Sequence, residues 1–145
     1  MPSRLFRSTS IALVVLLHYT GIAAPGSAIA IIPKPAKVEI RTGAFVIDAQ
    51  TSVVVEESSA PLEPVAQFLA ATLRVSTGFA LPVVRSADPA KAQDAIVFAP
   101  AGPGPETEGE SYRLIVERDR VQITSGGPAG AFYAVQTLLQ LLPSE

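Results

Sequence analysis

Alternating apolar and polar residues over 112–125 predict two short strands. Tyr112, Leu114 and Val116 fall on one face of the first strand, the period-2 pattern of a half-buried strand. Residues 118–120 are a polar break, and a second alternation follows over residues 121–125. Two short strands separated by three polar residues predict a β-hairpin.

After the hairpin the apolar period becomes helical. The predicted buried stripe of this helix consists of Phe132, Val135, Leu138, Leu139 and Leu142, with Ala131 at its edge. Pro128 suits the first turn of a helix, and Pro143 ends it. Tyr133 and Leu141 lie off the stripe, and we expect them to belong to a second contact surface.

The earlier part of the mature chain alternates between strands and one long helix. Residues 38–40 and 45–47 predict two strands around a turn at 42–43, and residues 53–55 predict a strand covered on both faces. Residues 61–76 predict an amphipathic helix, which Gly78 ends. Residues 81–85 and 95–99 predict further strands, and 100–110 is a Gly/Pro-rich loop. The fold class is therefore α+β: one mixed β-sheet with two amphipathic helices packed on one face.

Residues 1–30 have the pattern of a secretory signal peptide. Arg4 and Arg7 precede a short apolar run at residues 11–17, and small residues at Ala28 and Ala30 suit a cleavage site. A transmembrane anchor needs about 20 consecutive apolar residues, more than this run supplies. We therefore expect a signal peptide at 1–30, a domain at 31–145, and a periplasmic or extracellular location.

Composition excludes several classes of function. Residues 31–145 hold nine basic and thirteen acidic side chains, a net charge of −4, which argues against nucleic acid or a membrane surface as partner. The chain has no cysteine, and its one histidine, His18, lies in the predicted signal peptide. This excludes a Ser-His-Asp triad, a thiol nucleophile and an ordinary zinc site from the domain. We expect no cofactor and no metal.

The carboxylates are not arranged for catalysis. Glu56 and Glu57 are the only adjacent acidic pair. Neighbouring side chains on a strand point to opposite faces, so the two carboxylates cannot both act on one scissile bond. Glu106, Glu108 and Glu110 could hold a calcium ion only loosely, because the aspartate-rich order of a calcium loop is missing. Residues 118–120 are interpreted as a solvated hairpin tip. No catalytic residue is predicted.

Three motifs near the C-terminal end resemble a known domain. Residues 112–114 (Tyr-Arg-Leu), 130–133 (Gly-Ala-Phe-Tyr) and 136–142 (Gln-Thr-Leu-Leu-Gln-Leu-Leu) are similar to the closing segment of the N-terminal domain of β-N-acetylhexosaminidases of glycoside hydrolase family 20. Ala134 stands where a second glycine is usual. The opening Ile31-Ile32-Pro33-Lys34-Pro35 resembles the entry to the same domain. The resemblance covers nearly all of residues 31–145.

The resemblance implies a non-catalytic domain that supports a (β/α)8 catalytic barrel, in cis or in trans. The parent enzymes hydrolyse terminal N-acetyl-hexosamine residues with an adjacent Asp-Glu pair in that barrel, and this chain contains no such pair. The chain alone is therefore expected to be inactive, and direct sugar binding is not expected because the domain has no Trp and only two Tyr. Two alternatives stay open: a stand-alone exported binding module, and the equivalent domain of another exo-glycosidase such as an α-glucuronidase.

Overall fold

The computed structural model describes residues 31–103 and 109–143 of the chain. Its regular elements, with two short 3-10 helices, are β1 Ser52–Glu56, a 3-10 helix Glu57–Leu62, α1 Glu63–Thr77, β2 Val83–Ser86, a 3-10 helix Pro89–Lys91, β3 Ala95–Pro100, β4 Tyr112–Val116, β5 Arg120–Ser125 and α2 Pro128–Leu141. The predicted signal peptide, residues 1–30, lies outside the described residues.

The described strands form one five-stranded mixed sheet in the order β2-β1-β3-β5-β4. Neighbouring strands are parallel from β2 to β5, and the β4–β5 hairpin is antiparallel. The register sets Val53 beside Ile96 and Ile96 beside Val121, so apolar side chains form a row across the sheet centre. The predicted hairpin and the mixed sheet are confirmed.

Both helices cover the same face of this sheet. Val53 and Val55 face the helices in the main core, while Val54 lies on the other face in a small cluster with Ala95 and Val97. All three valines of β1 are at most 4% exposed. The continuous valine run therefore marks a strand covered on both faces, as predicted.

Helix α1 is set by proline at its start and glycine at its end. Pro64 lies in the first turn, where its missing N–H costs no intrahelical hydrogen bond. Gly78 adopts a left-handed conformation, with φ of 74°, and its N–H donates to the carbonyl of Arg74 at 2.9 Å. The helix buries Val65, Leu69 and Leu73 against the sheet. Prediction and structure differ by only one or two residues at each end.

Helix α2 lies close to the start of the hairpin. A Cβ added at Gly130 would be 2.3 Å from the carbonyl oxygen of Ser111, so only glycine permits this approach. Two turns further along, the hydroxyls of Thr137 and Tyr112 share a hydrogen bond of 2.7 Å. These two contacts fix α2 over the edge strand β4.

The two strands predicted at residues 38–40 and 45–47 are wrong. Between residues 31 and 51 the structure has no strand. Phe45 and Ile47 pack against the core, as their spacing of two predicts, but Val38 and Ile40 are 48% and 69% exposed. Alternation shows which side chains can share a face; a strand also needs a neighbour to complete its hydrogen-bond ladder.

None of the helices in the described part of the chain has the length and apolarity needed to span a bilayer.

Candidate functional site

The acidic residues predicted as candidates are engaged locally or exposed where the structure describes them. Glu56 ends β1 and Glu57 begins the following 3-10 helix, and the Glu56 carboxylate accepts a hydrogen bond from Ser58 at 2.8 Å. Over residues 31–103 and 109–143, no three His, Cys, Asp or Glu side chains are grouped to hold a metal ion. Glu106 and Glu108 lie outside the described residues, and Glu110 is exposed.

The basic residues at the hairpin tip have separate roles. Arg118 and Asp119 are exposed, which agrees with a solvated tip. Arg120, in contrast, is the first residue of β5 and is engaged: its Nε donates to Glu117 at 3.1 Å and its Nη1 to the carbonyl of Ala90 at 2.8 Å. This guanidinium ties the 3-10 helix Pro89–Lys91 to the sheet.

A shallow depression of about 210 Å³ lies on the face of the sheet opposite α1 and α2, beside that contact. Its lining is Glu56, Pro89, Ala90, Val97, Ala99, Arg120 and Gln122. The guanidinium of Arg120 already has two protein acceptors, and the Glu56 carboxylate has a protein donor. Its charged groups are therefore largely committed to holding the protein together.

Three aromatic rings lie exposed on the outer side of the helix pair, and we call Phe68, Phe132 and Tyr133 the aromatic surface. They are 43%, 40% and 42% exposed, respectively. The rings of Phe68 on α1 and Phe132 on α2 are 5.5 Å apart and tilted by 42°, and those of Phe132 and Tyr133 are 6.3 Å apart, edge to face. Such tilted contacts are favourable between aromatic rings.

The prediction that Phe132 belongs to the core is wrong. The buried stripe of α2 is rotated toward smaller side chains and consists of Gly130, Ala131, Ala134, Val135, Thr137 and Leu138. Alanine at these positions lets the helix lie close to the sheet, so the bulky ring of Phe132 is left at the boundary with α1. Tyr133 lies off the buried stripe as predicted and is 42% exposed. Leu141 is 37% exposed at the last residue of the helix, although it follows buried Thr137 by four residues and buried Ala134 by seven.

Sequence reasoning missed a second feature of α2, the side chain of Gln140. Its Oε1 accepts a hydrogen bond from the N–H of Ile32 at 2.9 Å, and its Nε2 donates to the Ile32 carbonyl at 3.0 Å. The same Nε2 lies 3.3 Å from the carbonyl of Gln136, one turn earlier. The signal in the sequence was a polar residue repeated at a four-residue interval beside the apolar stripe, at Gln136 and Gln140.

Comparison with known proteins identifies the domain. Residues 28–145 match the family model described as glycosyl hydrolase family 20, domain 2. The chain is 36% identical over 115 residues to a beta-hexosaminidase of Porphyromonas gingivalis, which covers 79% of this chain and 14% of that relative. The chain thus spans about a seventh of the relative's length.

Solved structures agree with the family match. The GH20 beta-N-acetylhexosaminidase of Streptomyces coelicolor A3(2) aligns with a TM-score of 0.65 and 37% identity, over 75% of this chain and 20% of that one. The Streptomyces plicatus N-acetyl-beta-hexosaminidase aligns with a TM-score of 0.67 and 38% identity, over 78% and 21%. Enzymes with this domain also have a catalytic barrel domain. The match favours the hexosaminidase reading over the α-glucuronidase alternative.

Proposed function

Because this chain belongs to glycosyl hydrolase family 20 through its domain 2, we propose that it serves a β-N-acetylhexosaminidase as a non-catalytic support. The enzyme's activity is the hydrolysis of terminal N-acetyl-hexosamine residues, carried out by a (β/α)8 barrel. The domain's own task is to pack against that barrel and stabilise it.

The aromatic surface is the observation that carries this proposal. One face of the helix pair is buried on the sheet, while the other face presents Phe68, Phe132 and Tyr133 to solvent. Val75 extends the same face of α1 and is 89% exposed. Contiguous exposed apolar and aromatic groups are typical of a protein–protein contact. Covering the exposed part of each ring contributes on the order of 1 kcal/mol.

The described chemistry is consistent with support rather than catalysis. Hydrolysis of a glycosidic bond ordinarily requires two carboxyl groups on either side of that bond. In residues 31–103 and 109–143, Glu56 accepts a hydrogen bond from the Ser58 hydroxyl and Glu117 pairs with Arg120. This supports assigning the reaction to the barrel.

A chimera tests the docking. Residues 31–145 would replace the equivalent domain of the Streptomyces coelicolor enzyme, and thermal stability and hydrolysis of an aryl N-acetylglucosaminide would be measured. Phe132→Gln should lower the melting temperature of the chimera more than that of the chain alone, because only in the chimera is the exposed part of the ring covered as well. Leu141→Ser should leave the isolated domain folded but weaken its association with the barrel.

The matched control is Val84→Gln. Val84 is 43% exposed, nearly the same as Phe132. It lies on β2 beside Val54, with its side chain on the face of the sheet opposite α1 and α2. The Val84→Gln substitution should change the melting temperatures of the chimera and of the isolated chain equally. If Phe132→Gln behaves in the same way as this control, the helix face is not the docking surface.

The aromatic surface also favours a second candidate, a stand-alone exported module that binds another protein. Neighbouring exposed aromatic and apolar side chains are typical of a surface that binds another protein. In that case the chain would show no stabilising effect on the barrel of the chimera, and Phe132→Gln would not alter the chimera's activity.

Export of the chain is part of the proposal. Residues 1–30 act as a signal peptide, and cleavage after Ala30 releases a domain that begins at Ile31 outside the cytoplasm. The intact mass of the product recovered from the source organism, with N-terminal sequencing, tests this. Retention of Met1 in the recovered product would contradict it.

A further inference from the structure

The segment at residues 31–35, which we call the strap, is held by burial of the Ile31 side chain, which is 9% exposed, and by the side chain of Gln140. The Gln140 carboxamide bonds to both the N–H and the carbonyl of Ile32, at 2.9 and 3.0 Å, across 108 residues of sequence. A carboxamide offers one donor group and one acceptor, and so it can pair with a peptide group in the same way as a neighbouring strand does. Gln140 therefore provides a local template for the strap.

This template is weak in solvent. Both hydrogen bonds are exposed to water, and the Ile32 side chain is 80% exposed. The net gain from a hydrogen bond that competes with water is small, while fixing the backbone of each residue has a larger entropic cost. Burial of Ile31 anchors the first residue of the strap, but two exposed bonds alone do not offset the ordering of the mostly exposed residues 32–35.

The part of α2 that binds the strap is continuous with the aromatic surface. Tyr133 and Gln140 are seven residues apart on α2, so they lie on the same side of the helix two turns apart, with Gln136 between them. A partner that covers Tyr133 therefore reaches the place where Ile32 is presented.

We propose that the strap is completed by docking: Gln140 positions the Ile32 backbone, and the catalytic barrel covers the Ile32 side chain and locks the strap in place. The inference rests on the proposed function and adds an element to the docking surface, an apolar side chain that lies outside both helices. Gln140 is a positioning residue in this arrangement. Excluding water from its two bonds strengthens them, because water no longer competes for the same groups.

Hydrogen exchange at the Ile32 amide tests the proposal, read by NMR after selective labelling of isoleucine with nitrogen-15. In the chain alone, we expect this amide to exchange nearly as fast as in an unfolded peptide. In the chimera with the Streptomyces coelicolor enzyme, it should exchange at least about tenfold more slowly. Gln140→Ala should abolish the protection in the chimera without unfolding it.

Two further variants make the test specific. Gln136→Ala removes the same type of side chain from the same side of α2 and should leave the Ile32 protection unchanged. Gln140→Glu keeps the acceptor for the Ile32 N–H but loses the donor to its carbonyl, so intermediate protection is expected. A merely structural role of Gln140 would not produce this graded response at one amide.

Three results would overturn the inference: equal protection of Ile32 in the chain and in the chimera, absence of protection in both, or protection that survives Gln140→Ala. The Phe132→Gln comparison separates the two proposals. If that variant weakens the chimera while the Ile32 amide stays unprotected, docking holds and the strap is wrong. If Phe132→Gln has no specific effect, the docking itself is wrong, and the strap as proposed is wrong with it.

Discussion

The close approach of α2 to the hairpin predicts that Gly130→Ala destabilises the domain. The added Cβ would lie 2.3 Å from the Ser111 carbonyl oxygen and 3.1 Å from that of Glu110. Both are backbone atoms, so neither can rotate away, and either the helix or the chain before β4 must shift. Overpacking of this kind costs about 1–3 kcal/mol. The better helix propensity of alanine offsets up to about 1 kcal/mol of that cost.

The net effect is a loss of about 1–2 kcal/mol, or a melting temperature lower by about 4–8 °C for a domain of this size. Circular dichroism during heating and during urea unfolding measures it. Gly102→Ala is the control, because a Cβ there meets no atom within 4 Å. It should leave stability unchanged or raise it slightly by reducing the freedom of the unfolded chain. A Gly130→Ala variant as stable as the parent would refute the argument that glycine is required for close packing.

Three further predictions concern single polar groups. Thr137→Val keeps the shape of the side chain but removes the 2.7 Å bond to Tyr112, and should cost about 1 kcal/mol in urea unfolding. Ser59→Ala should be neutral or stabilising, by up to about 1 kcal/mol, because the Ser59 hydroxyl is buried with no hydrogen-bond partner among the described residues. The pKa of Glu39 lies below its ordinary value of 4.5 because the Lys37 ammonium donates a hydrogen bond to it and attracts its charge, with a smaller effect of Arg41. An NMR titration should show this pKa rise toward 4.5 in Lys37→Ala and in high salt.

The sign of the Glu39 effect follows from its lowered pKa. A carboxyl group of this kind favours the folded state above its unfolded-state pKa, and the contribution is lost as the pH falls through the lower folded-state pKa. The Glu39 and Lys37 side chains are exposed, so solvent screens the pair and its contribution to stability is small. The Thr137 prediction would be contradicted if Thr137→Val and Tyr112→Phe together lowered the free energy of unfolding by the sum of their separate effects. A clear loss of stability in the alanine variant would contradict the Ser59 prediction.

The periodic elements of this fold could be predicted from sequence because their signals are local. The valine run of β1, the proline and glycine that bound α1, and the hairpin alternation each report on a few adjacent residues. The position of Phe132 depends instead on how closely α2 approaches the sheet. That distance is set by Gly130 and the buried alanines together, and no period in the sequence reveals it.

The features that concern docking were hidden for a related reason. Gln140 has the same character as any solvent-exposed glutamine on a helix, and its partner Ile32 is 108 residues away. The alternation of Phe45 and Ile47 predicts a strand, but these side chains pack against the core from a segment that does not join the sheet. In each case the outcome depends on a distant segment, which a pattern along the chain cannot specify.

The strand order has a consequence for how the domain folds. β1 lies between β2 and β3, and its first residue, Ser52, pairs with Ala95, so a long loop must close before that ladder forms. β4, β5 and α2 follow one another closely and make local contacts, which form faster than distant ones. During synthesis the β1 edge that faces β3 therefore stays open until β3 has emerged from the ribosome. We expect this valine-rich edge to be the main site of misassociation among newly made chains.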